Sequence, residues 1–374
     1  MNRLAVFAAT SGHSGVDRIL GNLLPALAAR GVSVDLLRIR QHGPYMEATE
    51  GVRIVELPAS HVNTALPCLV RYLRQARPDV MLSDKDKVNR VAILAARVAG
   101  VPVRHFVRLG TTVSVNLRKR GRLERWLQVQ SISRLYRYAE GIIVPSQGVA
   151  SDLAQWVSEP RKIHVVPSPV VRPDLDSLAE VPIPVLWGVG AINNDIPVIV
   201  GVGELSARKD FATLVRAFAR VRSKRPCRLV VLGDGREREQ LLQLAASLGV
   251  ADDFRLPGFL ENPYPYIKGA SLLAHSARWE GMGIVLVEAL SLGVPVVSTD
   301  CPSGPREVLD GGRLGTLVPV GDDDALANAV EGILEGGHPP SHELRASVAP
   351  YRVCESAQCY ATVMGFDTPH ASIR

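Results

Sequence analysis

Glu280 and Glu288 stand eight positions apart in Ser276-Ala277-Arg278-Trp279-Glu280-Gly281-Met282-Gly283-Ile284-Val285-Leu286-Val287-Glu288-Ala289-Leu290. A carboxylate can accept two hydrogen bonds from a vicinal diol, and Gly281 and Gly283 let the main chain come close to a bulky anion. The apolar run after Gly283 predicts a buried helix. Its first backbone N–H groups, around Met282, Gly283 and Ile284, lack partners inside the helix and attract phosphate. The pattern suits a ligand with hydroxyls on both sides of a phosphate, as in a nucleotide sugar. A surface glutamate followed by a helix cap is the plainer alternative, but Glu288 lies among apolar residues, where an unpaired charge is costly.

With its flanks, this stretch resembles the signature of the family-4 retaining glycosyltransferases, which have the GT-B fold. A second segment, Val200-Gly201-Val202-Gly203-Glu204-Leu205-Ser206-Ala207-Arg208-Lys209-Asp210-Phe211, runs from a strand through a glycine turn to a basic pair and a helix. Cations at a helix start oppose the helix dipole unless an anion lies between. The segment resembles the family's diphosphate clamp, with Lys209 as the clamping lysine and Gly203 as the turn glycine. The family usually has an arginine directly after that glycine, where this chain has Glu204; Arg208 and Arg306 are the candidate replacements. Two glycines without a third, and no acidic residue closing the next strand, make a nicotinamide site weakly supported. Asp300-Cys301-Pro302-Ser303-Gly304-Pro305-Arg306-Glu307 is similar to a loop of members that extend lipid-linked oligosaccharides. By that resemblance Ser303 and Gly304 face the donor sugar and Arg306 its phosphates; a capped turn is the alternative.

In the first half, Ser11-Gly12-His13-Ser14-Gly15 joins a strand to a helix. It resembles the glycine-rich loop beneath the donor diphosphate, with Gly15 as the matching glycine; His13 polarises a phosphate or acceptor hydroxyl, or is only an exposed loop residue. A family histidine after the fourth or fifth strand has no secure match: His105 falls within a strand, and Arg108 lies nearer the loop as a candidate substrate contact. Asp84-Lys85-Asp86 has the look of a metal-binding Asp-x-Asp. We read those aspartates as helix-start residues or acceptor contacts and expect no metal and no cofactor.

The elements that must position these residues are strands alternating with helices, which imply parallel sheets covered on both faces. Expected strands are Leu4–Ala8, Val34–Arg38, Val80–Ser83, Val101–Val107 and Gly141–Pro145, with helices starting near Gly15, Asn63, Lys87 and Arg122. From 196 the alternation restarts with strands at Pro197–Val202, Arg228–Gly233, Phe254–Pro257, Leu272–His275, Val294–Ser298 and Thr316–Pro319. Helices are expected at Phe211–Arg222, Glu237–Leu248, Asp323–Leu334 and Tyr351–Phe366. The 374 residues suit two domains: 1–176, a linker over 177–196, and 197–350. A last segment, 351–374, is expected to cross back to the first domain. The expected fold is α/β of GT-B type, two Rossmann-like doubly wound domains facing each other across a cleft, with the motifs on its loops.

Composition narrows the partners. Hydrophobic residues are 47% and charged residues 21%, which argues against disorder. No apolar run reaches the ~20 residues of a membrane span, and the N-terminus reads better as a first strand than as a signal peptide. Five scattered cysteines suggest a reducing cytoplasm. The net charge of +6 is uneven. Arg104, Arg108, Arg118, Lys119, Arg120, Arg122, Arg125, Arg134 and Arg137 face a single acid, Glu124, and apolar residues at helical spacing predict a basic amphipathic helix over 117–138. Its readings are a solvated face or contact with anionic headgroups or a lipid-linked diphosphate; nucleic acid is disfavoured without a binding module.

The expected activity is retaining, metal-independent transfer of a sugar from a nucleotide diphosphate sugar, UDP-linked by family frequency, to a saccharide hydroxyl. The acceptor is expected to be lipid-linked, in cell-surface polysaccharide assembly at the inner face of the cytoplasmic membrane. Glu280, Lys209 and Arg208 are the candidate catalytic residues. An epimerase of related fold and a non-catalytic nucleotide-sugar binder are the alternatives.

Overall fold

The computed structural model describes residues 2–366 except His13, Glu47, Ala48, Lys119, Arg120 and 184–195, and except the side chains of Asn116 and Arg118. Its contacts divide the chain into two units, Met1–Val170 joined by the segment from Pro350, and Val171–Ala349. The division thus falls a few residues before the expected boundary at 176. Much of the expected linker, 184–195, lies outside the described residues.

The first unit holds seven parallel strands: β1 (Arg3–Phe7), β2 (Ser33–Ile39), β3 (Val52–Leu57), β4 (Val80–Asp84), β5 (Arg104–Arg108), β6 (Gly141–Val144) and β7 (Ile163–Val165). Their order is β3-β2-β1-β4-β5-β6-β7. Of the inner strands, β1, β4 and β6 are mostly apolar on both faces, as a sheet covered on both sides requires. The covering helices are α1 (Gly15–Ala28), α2 (Leu66–Ala76), α3 (Asp86–Ala99), α4 (Val113–Arg118), α5 (Arg122–Leu135) and α6 (Gln147–Ala154).

The second unit repeats the plan. Its helices are α7 (Leu175–Leu178), α8 (Phe211–Lys224), α9 (Arg238–Ser247), α10 (Tyr264–Lys268), α11 (Ile284–Ser291), α12 (Pro305–Val308), α13 (Asp323–Leu334) and α14 (Ser341–Ser347). Its strands are β8 (Val198–Val202), β9 (Arg228–Leu232), β10 (Phe254–Gly258), β11 (Leu272–His275), β12 (Val296–Thr299) and β13 (Thr316–Val318). The parallel order β10-β9-β8-β11-β12-β13 reverses direction between β8 and β11. At that switch point the loops leaving both strands open side by side, where open α/β sheets bind ligands.

The last helix, α15 (Val353–Val363), belongs to the first unit. Its Ala357 and Tyr360, with Met364 just after it, share a buried cluster with Leu20, Leu24 and Leu27 of α1. The helix expected over 117–138 is broken. α4 ends at Arg118, α5 begins after Gly121, and a short 3-10 turn covers Tyr136–Tyr138. Glycine is a poor helix former, and an N-cap is where it is tolerated.

Candidate active site

The switch point of the second unit brings together Lys209, Arg208 and Glu280. Gly203, the first residue after β8, makes this possible: a Cβ there would sit 2.8 Å from Lys209 Cε, so only glycine lets the lysine stem fold over the turn. Lys209 Nζ donates to Glu280 Oε1 at 2.6 Å, and Arg208 Nη1 donates to Oε2 at 3.2 Å. The two loops are also stitched through their backbones. Arg278 N–H donates to the Arg208 carbonyl at 2.8 Å, and the Ser276 hydroxyl donates to the Lys209 carbonyl at 2.8 Å.

Glu280 and Lys209 are buried, at 6% and 8% exposure. Burial alone would raise the pKa of Glu280. The Lys209 charge, a hydrogen bond with His275 and the Arg208 charge outweigh it and hold the carboxyl well below the usual carboxylate range. His275 ends β11, with Nε2 3.5 Å from Glu280 Oε1 and Nδ1 2.8 Å from the Ser298 hydroxyl. Burial lowers its pKa, so it is neutral. An Nε2–H tautomer can donate to the carboxylate. Sequence reasoning passed over His275; its position at the end of a strand, five residues before Glu280, was the available signal.

The helix after Glu280 starts as the glycines require. Gly283 is the N-cap of α11 with φ +84°, a left-handed conformation. Gly281, Met282 and Ile284 lie at the same helix entrance. Gly304 closes the other side: a Cβ there would lie 2.4 Å from Met282 Cα. Ser303 is also left-handed, at φ +67°, and Glu280 N–H donates to the Pro302 carbonyl at 3.3 Å. Three loops therefore meet in backbone contact around the carboxylate.

Other candidates lie elsewhere. Glu288 is 1% exposed in α11 and accepts from the Tyr264 hydroxyl at 3.3 Å. Arg306 is exposed and chelated by Asp300 of its own loop through Nε and Nη2. It does not join the Glu280 cluster, whereas Arg208, the other candidate replacement for the family's usual arginine, does. Cys301, in the same loop, has its thiol pushed up to about 12 by burial and by Glu280. It is therefore a poor nucleophile.

In the first unit, Gly15 opens α1. The Asp17 carboxylate accepts the Ser14 N–H at 2.7 Å, the Ser14 hydroxyl at 2.5 Å and the Thr10 hydroxyl. This ties the loop down and complements the helix dipole. His13 lies outside the described residues. The expectation for Arg108 as a substrate contact is corrected: it is 1% exposed. Its Nη1 donates to Asp84 at 2.7 Å, Nε to the Tyr360 hydroxyl at 2.9 Å and Nη2 to Ser168 at 3.1 Å. Asp84 is thereby engaged, and Asp86 starts α3 and accepts from the Tyr136 hydroxyl and Gln128 amide at 3.1 Å each.

Comparison with known proteins decides the family. The model described as "Glycosyl transferases group 1" matches residues 188–351, and "Glycosyl transferase 4-like domain" matches 14–169. A lipopolysaccharide core biosynthesis glycosyltransferase of Rhizobium meliloti, LpsD, is 33% identical over 85% of this chain and 84% of its own. The chain belongs to the family-4-like glycosyltransferases of group 1. Campylobacter jejuni N-acetylgalactosamine-N,N'-diacetylbacillosaminyl-diphospho-undecaprenol 4-alpha-N-acetylgalactosaminyltransferase is 28% identical, over 90% of this chain and 91% of its own. Among solved structures, HepE of Anabaena in complex with UDP superposes with a TM-score of 0.75 at 18% identity, over 98% of this chain and 100% of that one. That likeness shows the fold, which is GT-B. In this glycosyltransferase the conjunction of Glu280, Lys209 and Arg208 falls within the group 1 match.

Proposed function

We propose that the chain moves a sugar, with retention of anomeric configuration, from a UDP-linked donor to a hydroxyl of a lipid-linked saccharide. The observation that carries this reading is the pairing of two cations with one buried carboxylate at the switch point. The cluster carries a net positive charge beside the glycine-lined entrance of α11, a setting suited to a diphosphate. Lys209 and Arg208 stabilise charge developing on the leaving diphosphate, with the amides of Met282 and Gly283 beside them. Two protein cations supply the neutralisation that a divalent ion provides elsewhere, so the reaction is read as metal-independent. Glu280 holds the cations in place and orients the sugar hydroxyls, while Glu288 takes the ribose. Because Cys301 is held as a thiol, no covalent nucleophile presents itself near Glu280 among the described residues. Front-face attack follows, the acceptor proton passing to a diphosphate oxygen.

The acceptor class draws on the relatives. The Campylobacter protein's name specifies a diphospho-undecaprenol saccharide, and the Rhizobium protein is assigned to lipopolysaccharide core biosynthesis. The surface of α5 favours the same class. Leu123, Trp126 and Leu127 are 70%, 55% and 53% exposed beside Arg122 and Arg125, the composition of a helix that rests on an anionic bilayer. Among the described residues no helix is long and apolar enough to cross one. A peripheral place on the cytoplasmic membrane follows from this reading. Trp126→Glu should abolish flotation with phosphatidylglycerol vesicles, and unchanged flotation would remove the membrane assignment.

The test of the activity is direct. The protein is screened for thermal stabilisation by a panel of nucleotide sugars, and the stabilising donor is then incubated with a synthetic lipid-diphospho-N-acetylglucosamine. Proton NMR of the product should show the donor's α-anomeric configuration kept, with transfer insensitive to EDTA. An inverted linkage, or turnover of the donor to an epimer without any acceptor, would sink the reading.

A further inference from the structure

The turn that carries Arg208 and Lys209 is held from two sides. On one side Leu205 N–H donates to the Asp234 carbonyl at 2.9 Å, and Glu237 N–H donates to the Leu205 carbonyl at 3.2 Å. Gly235 permits that approach, since a Cβ there would lie 2.3 Å from the Leu205 carbonyl oxygen. Backbone alone therefore fixes the first half of the turn. On the other side the loop after β11 grips three consecutive residues. Arg278 N–H takes the carbonyl of Arg208, and the Ser276 hydroxyl takes that of Lys209. Asp210 is gripped by a side chain: Arg278 Nε donates to its Oδ2 at 2.9 Å.

Asp210 needs such a hold. It is 6% exposed and sits at φ +48°, ψ +47°, a left-handed conformation that a non-glycine residue keeps only when its surroundings impose it. The Thr213 hydroxyl donates to the same Oδ2 at 2.9 Å. The amides of Lys209 and Asp210 both donate to the Ser206 carbonyl, at 2.9 Å and 3.2 Å, and α8 starts at the next residue. The backbone at Asp210 thus sets the angle between this turn and the helix, and with it the direction of the Lys209 stem. Stability does not account for the pairing. The Arg278 side chain is 54% exposed, and an ion pair with so exposed a partner adds little to the fold.

We propose that Arg278 is a positioning residue. Through Asp210 it holds the turn in the conformation that brings Arg208 and Lys209 together on Glu280, ready for a diphosphate. This role rests on reading that cluster as a diphosphate clamp, and it is one of geometry: Arg278 acts through its bond to Asp210 rather than through its own charge.

The full chain carries the test. UDP and inorganic pyrophosphate are titrated by calorimetry, and amide hydrogen exchange over 203–212 is followed with neither present. Arg278→Ala should weaken both anions about tenfold, within the range of coupling through a positioning contact. Its Tm should fall by less than about 4 °C, while the Lys209 and Asp210 amides exchange faster. Asp210→Asn should also weaken both anions, about threefold, as a charge-assisted bond becomes a neutral one. Asparagine tolerates the left-handed conformation, so this variant keeps the test alive should Arg278→Ala fail to fold. Its sign discriminates. Removing a negative charge near a phosphate site strengthens anion binding by electrostatics alone, whereas loosening the turn weakens it. The double variant should lose no more than Arg278→Ala alone, because both changes break one contact. Tighter binding by Asp210→Asn, additive losses that put Arg278 itself on the anion, or unchanged amide exchange in Arg278→Ala would each overturn the role. A native protein that binds neither anion, with exchange still faster in Arg278→Ala, would instead sink the diphosphate reading and leave the hold on the turn established.

Discussion

Each unit buries a cluster of opposite charges at the C-terminal end of its sheet, and the two clusters are built on opposite principles. Around Arg108 every nitrogen of the guanidinium has a partner: Asp84, Tyr360 and Ser168. Burial works against its charge, and Asp84 and Tyr360 more than offset that, so its pKa is held above the ordinary value. One cation meets one carboxylate, both 1% exposed, with no surplus charge. Around Glu280 one carboxylate meets two cations, and the Arg208 side chain is 31% exposed. The surplus charge faces the glycine loops. A balanced, enclosed ion pair holds a fold together; an unbalanced one with backbone access is a place for a ligand.

The largest effect expected from this contrast is on stability. Arg108→Ala leaves the Asp84 carboxylate buried and unpaired, at a cost of about 3–5 kcal/mol. It also cuts the link from β5 to Tyr360 of α15. Chemical denaturation should show that loss, while the surviving folded protein binds UDP with native affinity. Arg108→Lys should not rescue it, because an ammonium cannot serve three partners in the plane of a fork. Full stability with impaired UDP binding would reverse the contrast and return Arg108 to the substrate.

The second cluster should respond in turnover rather than stability. Glu280→Ala is expected to lower kcat by about 100- to 1000-fold, the scale of removing one preorganised group from a charged transition state. It should not weaken UDP binding, because the diphosphate then becomes the sole counter-ion of Lys209 and Arg208. Glu288→Ala is expected to do the opposite, raising the Kd for UDP about tenfold through one lost charge-assisted hydrogen bond and sparing kcat. Calorimetry beside steady-state rates separates the two. Equal losses in kcat and affinity for both variants would show that the glutamates have no division of labour.

The same contrast marks what could be read from the chain. β11 and α13 lie at the expected residues, Leu272–His275 and Asp323–Leu334, because an unbroken apolar run and an Asp-rich helix start are local signals. β3 was missed because Arg53 and Glu56 interrupt its apolar residues at the half-exposed edge of the sheet. β7 has only three residues. The segment around Glu280 declares itself through glycines whose backbone demands are local. Arg108 misleads for the converse reason: its partner Tyr360 is 252 positions away, and no spacing rule reaches that far. The break at Gly121 and the exposed face of α5 were likewise hidden, because periodicity reports which residues share a side and not whether anything covers it.

A smaller effect probes the first unit through pH. His105 lies in β5, wholly buried, with Nε2 2.9 Å from the Ser83 hydroxyl. Burial pushes its pKa down to about 3 from an ordinary value of 6.5. The unfolded chain therefore binds a proton below pH 6.5 that the native protein refuses until about pH 3. Stability is unaffected above pH 6.5 and falls as pH drops through that window, by up to about 1.4 kcal/mol per pH unit from this one residue. Glu280 does not mask the effect near neutrality, because its depressed pKa removes stability only at more acid pH. His105→Gln keeps a hydrogen-bonding group opposite Ser83 and removes the titration. Denaturation between pH 7 and pH 5 should show a shallower slope in that variant, with equal stability at neither end required. Identical slopes would mean that the native strand accepts a protonated imidazole, and the enclosed character assigned to this region would be wrong.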